Sequence, residues 1–285
     1  MAGEVGRTSN RGRTERSSPD FVINDYRLFV PARMDSVSGY AQLDTGATSN
    51  MVARSVSDSF KNLGTSTMKG AFGELRTENV AIRSLRLLGS TFHGITARIQ
   101  PDGPAGFRDL PFRAVMTAGV ELLYRKEKRL HLDFRGNSVS LLEQSANVPS
   151  NRGLNSVQVF FLFPFRLASF QSEIGEAKLA NTLFDTGAGW SVLNSRLLGN
   201  LEQSLKREKR VEATDPTGGR AKIPVFSHSD FRIGGASLGK TKFLAIDLTD
   251  VEKGLNSKVD FVLGLGSMLG RTWTIDPLNR KLEWR

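Results

Sequence analysis

Two aspartates in this chain stand in matching surroundings. Asp44 lies in LDTGATSNMV (43–52) and Asp185 in FDTGAGWSVL (184–193). Each follows an apolar residue and precedes Thr-Gly-Ala. Removing a lone carboxylate from water is costly, so a chain that does it twice in the same setting gains something from the pair. Two carboxylates in contact do not both ionise easily and share one proton. One is then a base that can activate water; the other, protonated, can donate to a carbonyl oxygen. The neighbours suit this chemistry. Gly46 and Gly187 permit a tight turn in which backbone N–H groups approach the carboxylates. The hydroxyls of Thr45 and Thr186 can cross-link the two turns, giving the rigidity a paired site needs.

Competing chemistries find little support. The sequence has no Cys, which excludes disulfides, thiolate zinc sites and a thiol nucleophile. His93, His131 and His228 are scattered and form no ligand pattern, so neither a metal nor another cofactor is expected. GLGSMLG (264–270) lacks the spacing of a dinucleotide loop. Asp133 and Asp276 also recur, in LDFRGN and IDPLNR, and read as turn aspartates. The formal net charge is +10, partly in RKEKR (125–129) and KREKR (206–210). Each of these runs carries a Glu and no interleaved aromatic residue. A solvated helix or hairpin face is the simpler reading, and nucleic-acid binding is not expected.

The elements that must position the aspartates are mostly strands. Short alternating segments such as RLFVPARM, FHGITARI, TKFLAIDL and TWTIDP are broken by Gly, Asn, Asp and Pro. VFFLFPF (159–165) reads as a buried strand, with its aromatic cluster in the core or a seam between halves. Helical patterns are limited to 54–63, to 195–210 and to a short segment after Gly266. Four landmarks recur in order. Gly89 follows Asp44 by 45 residues and Gly234 follows Asp185 by 49; TAG (117–119), VLG (262–264), Asp133 and Asp276 complete the two sets. The chain is therefore read as a duplicated unit. A disordered basic tail (1–18) precedes two related halves, 19–150 and 151–285, arranged about a pseudo-two-fold axis. No apolar run approaches the roughly 18 residues of a membrane span. The polar, Arg-rich N-terminus does not read as a secretory signal, and a cytoplasmic location is the expectation.

LDTGAT and FDTGAG, with DFVLGL downstream of the second, resemble the aspartic proteases, and DTGA is most similar to their retropepsin-like branch. The resemblance implies a mainly β, acid-protease fold of two barrel-like lobes with few helices, a single-chain pseudo-dimer. It implies hydrolysis of peptide bonds by Asp44 and Asp185 without metal or cofactor, and a polypeptide as substrate. Thr45, Gly46, Ala47, Thr186, Gly187 and Ala188 would support the active-site loops. Two hairpin flaps would cover the cleft, with Ala71, Phe72 and Gly73 at one tip and Thr217, Gly218 and Gly219 at the other. Three departures stand out: Thr117 replaces a bulky apolar residue in TAG, no Tyr occupies the first flap, and Ala47 and Ala188 stand where pepsin-like members often carry a hydroxyl. Without that donor the pair should hold its proton to higher pH, which implies an optimum in mild acid or near neutrality. Trp190 either lines the cleft or packs beneath it. The alternative functions are a silent module that binds extended peptides, or a basic adaptor for nucleic acid or a membrane surface.

Overall fold

The computed structural model describes residues 21–69, 74–100, 107, 110–125, 127–146, 153–214 and 220–285. It is mainly β: 61% of the described residues lie in strands and 12% in helices. The first half runs through β1 (Val22–Asn24), β2 (Arg27–Met34) and β3 (Val37–Leu43), two tight hairpins that end at the first motif. Then come β4 (Asn50–Ala53), α1 (Arg54–Ser57), β5 (Lys61–Lys69), β6 (Glu74–Leu87) and β7 (Ser90–Gln100). The half closes with β8 (Ala114–Ala118), α2 (Val120–Leu123), β9 (Lys128–Asp133) and β10 (Ser138–Glu143).

The second half begins with β11 (Asn155–Gln158), β12 (Phe160–Leu162), β13 (Leu167–Ile174) and β14 (Ala177–Asp185), the last of which ends at the second motif. It continues through β15 (Ser191–Asn194), α3 (Leu198–Leu201), β16 (Lys206–Thr214), β17 (Arg220–Ile233) and β18 (Ala236–Ile246). α4 (Thr249–Leu255), β19 (Phe261–Gly264), α5 (Leu265–Met268), β20 (Thr272–Asp276) and β21 (Lys281–Trp284) complete it.

Each half builds an eight-stranded sheet, and the two strand orders are the same. One is β1-β2-β3-β8-β4-β7-β6-β5 and the other β12-β13-β14-β19-β15-β18-β17-β16. Even the additional pairing recurs, β2 with β6 and β13 with β17. The interior strands β4, β8 and β19 are buried along their whole length. That explains why NMVA, AVMTA and FVLG read as runs rather than alternations. A third sheet, β10-β9-β20-β21-β11, joins the halves through one antiparallel ladder, β9 against β20. Leu132 faces Trp273 and Leu130 faces Ile275, all four fully buried. Trp273 stacks on Trp284 and meets Phe184 edge-on at 5.6 Å, which ties this seam to the residue just before Asp185.

Several sequence expectations need correction. KREKR does not extend a helix over 195–210. Only a 3₁₀ turn, α3 and a second 3₁₀ turn form there, and Lys206–Arg210 opens the edge strand β16. Gly199 and Asn200 are weak helix formers, and the pairing with β17 outweighs what remains of the periodic pattern. The pattern at 54–63 likewise gives one helical turn before β5 begins. VFFLFPF is not one buried strand. It splits at Val159, and Pro164, which lacks an N–H for the ladder, sits in the turn to β13. Phe160 and Phe163 are 55% and 88% exposed, so the cluster is not wholly in a core or seam. The glycine equivalent to Gly89 is Gly235, not Gly234. Leu88–Gly89 and Gly234–Gly235 are matching two-residue turns with positive φ at both positions. The helix α4 was not anticipated, although Asp250 and Glu252 in its first turn and the left-handed cap at Asn256 are ordinary helix signals. The tail 1–18 lies outside the described residues.

Candidate active site

Both motif aspartates stand at the exit of a strand that runs parallel to its half's interior strand. β3 pairs with β8 and β14 with β19, so Leu43 lies beside Ala118 and Asp185 beside Gly264. The chain then returns as β4 or β15, antiparallel on the other side of the same interior strand. The motif loop is thereby pinned between two neighbours. Asp44 N–H donates to the Ala118 carbonyl (3.0 Å) and Val120 N–H to the Ala47 carbonyl (3.0 Å); Leu265 N–H donates to the Ala188 carbonyl (2.7 Å). A side chain at Gly119 would collide with the carbonyls of Ala47 and Ser49, and one at Gly264 with those of Ala188 and Trp190. This is why glycine stands directly after β8 and at the end of β19. Thr117 takes the position of Val262 and is buried there without disturbing the ladder.

The threonines lock the loops to each other. Thr45 Oγ1 donates to the Phe184 carbonyl (2.9 Å) and accepts the Thr186 N–H (2.9 Å). Thr186 Oγ1 donates to the Leu43 carbonyl (2.8 Å) and accepts the Thr45 N–H (3.1 Å). All four bonds cross between halves, and both threonines are fully buried.

This lock places Asp44 and Asp185 in hydrogen-bonding contact. Each carboxyl also lies over the opposite loop's glycine: a Cβ on Gly46 would overlap the Asp185 carboxyl, and one on Gly187 the Asp44 carboxyl. Gly46 N–H donates to Asp44 Oδ1 (3.0 Å), while Gly187 and Ala188 N–H both donate to Asp185 Oδ1 (2.8 and 3.2 Å). Burial pushes Asp44 well above the usual carboxylate range, and the charge of Asp185 pushes it further. Burial raises Asp185 as well, but the two N–H donors and a hydrogen bond from Asp44 favour its ionised form. Burial thus raises both carboxyls, and the donors on Asp185 Oδ1 favour the ionised form there. Both residues are only half-buried, which leaves surface by which a substrate can reach them.

Two tyrosines join the site that sequence reasoning missed. Tyr124, at the end of α2, is completely buried, and its hydroxyl has no hydrogen-bond partner among the described residues. Burial raises its pKa strongly and the charges of both aspartates add to the rise, so it stays a neutral phenol. Tyr26 sits in the β1–β2 turn, with Asp25 and Tyr26 both at positive φ. That turn reaches from the first half to the second motif. A Cβ on Gly189 would lie 3.0 Å from Tyr26 Cβ, and the Tyr26 and Trp190 rings are 6.3 Å apart. Nothing local marks Tyr26, because its place depends on the crossing of the halves. Trp190 packs against this turn and is half-buried.

The flap-tip candidates Ala71, Phe72, Gly73, Thr217, Gly218 and Gly219 lie outside the described residues. The hairpins that carry them are described: Lys69 pairs with Glu74, and Thr214 with Arg220. Asp133 and Asp276 are turn residues. Asp133 Oδ1 accepts the Arg135 and Gly136 N–H, and Asp276 Oδ1 accepts the Leu278 and Asn279 N–H. Among the described residues no three His, Asp or Glu side chains converge as a metal site. No protein-family model matches the chain, and no curated protein does.

Proposed function

We propose that the chain is an aspartic endopeptidase of retropepsin-like type, with the two halves as the lobes of an acid-protease fold. The observation that carries this reading is the pair Asp44–Asp185, in contact across a buried threonine lock, an arrangement in which two carboxyls hold one proton between them. Asp185 takes a proton from a water held between the carboxyls, and the water oxygen attacks the scissile carbonyl. Asp44 gives its proton to the carbonyl oxygen, forming a tetrahedral diol. Asp185 then gives its proton to the amide nitrogen, the C–N bond breaks, and a hydroxyl of the diol returns its proton to Asp44 as the new carboxyl forms, which restores the pair. The substrate lies extended beneath the β5–β6 and β16–β17 hairpins, held by backbone hydrogen bonds. A polypeptide is the only partner this chemistry requires.

The test is incubation of the full chain with a denatured polypeptide across about pH 3 to 8, beside Asp44→Asn and Asp185→Asn. Cleavage by the parent and its loss, by at least about a thousandfold, in both variants supports the assignment. Equal cleavage by all three proteins rejects it. Tight binding of peptide without cutting would identify a silent binding module instead.

A further inference from the structure

The two halves share one topology, so each position around the cleft has a counterpart across the axis, and the counterparts differ in chemistry. Beside the first motif lies a recess of about 370 Å³ whose walls include Ser49, Asn50, Ser66, Asn79, Arg98 and Glu121. Its volume lies at the lower end of the range of ligand pockets and is ample for one side chain of a bound peptide. Strand register identifies the matching residues of the second half. Met51 pairs with Arg98, and Val192 with Leu244. Asn79 pairs with Arg98, and Val225 with Leu244. Arg98 therefore corresponds to Leu244 and Asn79 to Val225; both apolar residues are buried core. Glu121 stands two residues after Gly119, where Gly266 stands two after Gly264, and Ser49 corresponds to Trp190. In the second half the polar wall is replaced by core, and the loop beside it carries Trp190 with Tyr26 laid against it.

The recess also has unspent hydrogen-bond donors. The Arg98 side chain makes no ion pair or hydrogen bond among the described residues. Ser66 donates to Asn79 Oδ1 (2.9 Å), which leaves the Asn79 amide N–H groups unused. Glu121 is engaged by Asn50 Nδ2 (3.1 Å), and Asn50 in turn accepts the Gly119 N–H, so the wall is fixed to the motif loop. A guanidinium and an amide donor facing one recess match a carboxylate or carboxamide. The half-exposed rings of Tyr26 and Trp190 match an aromatic or apolar side chain.

We propose that the cleft reads its substrate in one direction. The first half takes an acidic or carboxamide side chain in the Arg98 recess, and the second takes an aromatic one at Tyr26–Trp190. The inference relies on the peptide-binding cleft of the proposed function. It explains what a duplicated chain can do that two identical halves cannot: distinguish a sequence from its reverse.

The experiment measures binding separately from catalysis. Fluorescein-labelled octapeptides in a Ser/Ala background are titrated into full-length Asp185→Asn. Each has one Phe and one Glu on opposite sides of the central bond, and each is made in both orders. One order binds about tenfold more tightly than the other, the worth of one partly solvated charge-assisted bond. Exchanging its Glu for Lys, or Arg98 for Leu, brings the two orders within about twofold. Equal binding of both orders, absence of binding, or a preference indifferent to the Glu-to-Lys exchange in the peptide overturns the inference. The peptide exchange needs no altered protein, so misfolding of Arg98→Leu does not rescue it. Cleavage of the preferred peptide by the parent is scored separately. Directional binding without cutting keeps this inference and ends the endopeptidase reading.

Discussion

Asp44 and Asp185 have neighbours that decide both where the proton sits and when it leaves. Activity needs one proton on the pair, so it fails in acid when both carboxyls are protonated and in base when both are ionised. Burial raises both residues, and the charge of Asp185 raises Asp44 further, which moves the profile up from the ordinary carboxylate range near pH 4. Ala47 and Ala188 supply no hydroxyl to pull it back. The kcat/KM profile should therefore be a bell with its maximum in mild acid or near neutrality; a maximum near pH 2 would contradict the site described. Ala188→Thr, which offers Asp185 a hydroxyl donor, should shift the profile down by about one pH unit. The same shifts have a consequence for stability. Carboxyls whose folded pKa lies above the unfolded value stabilise fully below that unfolded value, and the contribution disappears as pH rises through the folded pKa. Asp44→Asn removes that ionisation. It should raise Tm by about 3 °C near pH 7.5 and leave it almost unchanged near pH 3.5, as read by calorimetry. These two aspartates and their threonines were legible in the sequence because the motif occurs twice. Tyr26, Tyr124 and Arg98 were not, since each reaches the site through pairings that no short window of residues contains.

The motif loops depend on elements that bring together chain segments more than a hundred residues apart. The threonine lock is the clearest case, because each hydroxyl satisfies a buried backbone group of the other half. Thr186→Val keeps the shape and removes one donor and one acceptor. The Leu43 carbonyl and the Thr45 N–H are then buried without partners, at a cost of about 2–4 kcal/mol. Urea unfolding should show that loss as a lower midpoint with unchanged slope, together with a fall in kcat; Thr186→Ser should recover most of both. The strands flanking the motifs were readable from their alternation and from the interior glycines. β5 and β16 were not. Their sequences are charged and half-helical in pattern, and they become strands only because β6 and β17 provide a ladder. Lys and Arg along an edge strand such as β16 also oppose pairing with a further chain, which gives KREKR a structural role that needs no nucleic acid. The tight turns at Leu88–Gly89 and Gly234–Gly235 show the reverse situation: residue type alone pointed to the turn, and only the register showed which glycine matched which.

At the scale of the whole molecule, two halves of one topology meet along a narrow seam. One antiparallel ladder, β9 with β20, carries Leu130 and Leu132 against Ile275 and Trp273, and the threonine lock lies beyond it. Every strand of the third sheet apart from β9 and β10 belongs to the second half. A break between residues 150 and 151 therefore severs no strand pairing; it removes only the covalent tether. Fragments 1–150 and 151–285, made separately, should each expose an unpaired strand edge and the apolar side chains that line it. Neither holds both Asp44 and Asp185, so neither should cleave alone. Mixed, they should regain activity that rises with fragment concentration, because the tether's high effective concentration has been replaced by ordinary association. The recovered activity should vanish when one fragment carries Asp44→Asn or the other Asp185→Asn. Trp273 is buried at the seam beside Phe184, so Trp273→Ala should weaken reassembly by at least about tenfold while leaving the peptide selectivity of the assembled pair unchanged. Cleavage by one fragment alone, at a rate matching the intact chain, would mean that catalysis does not require carboxyls from both halves.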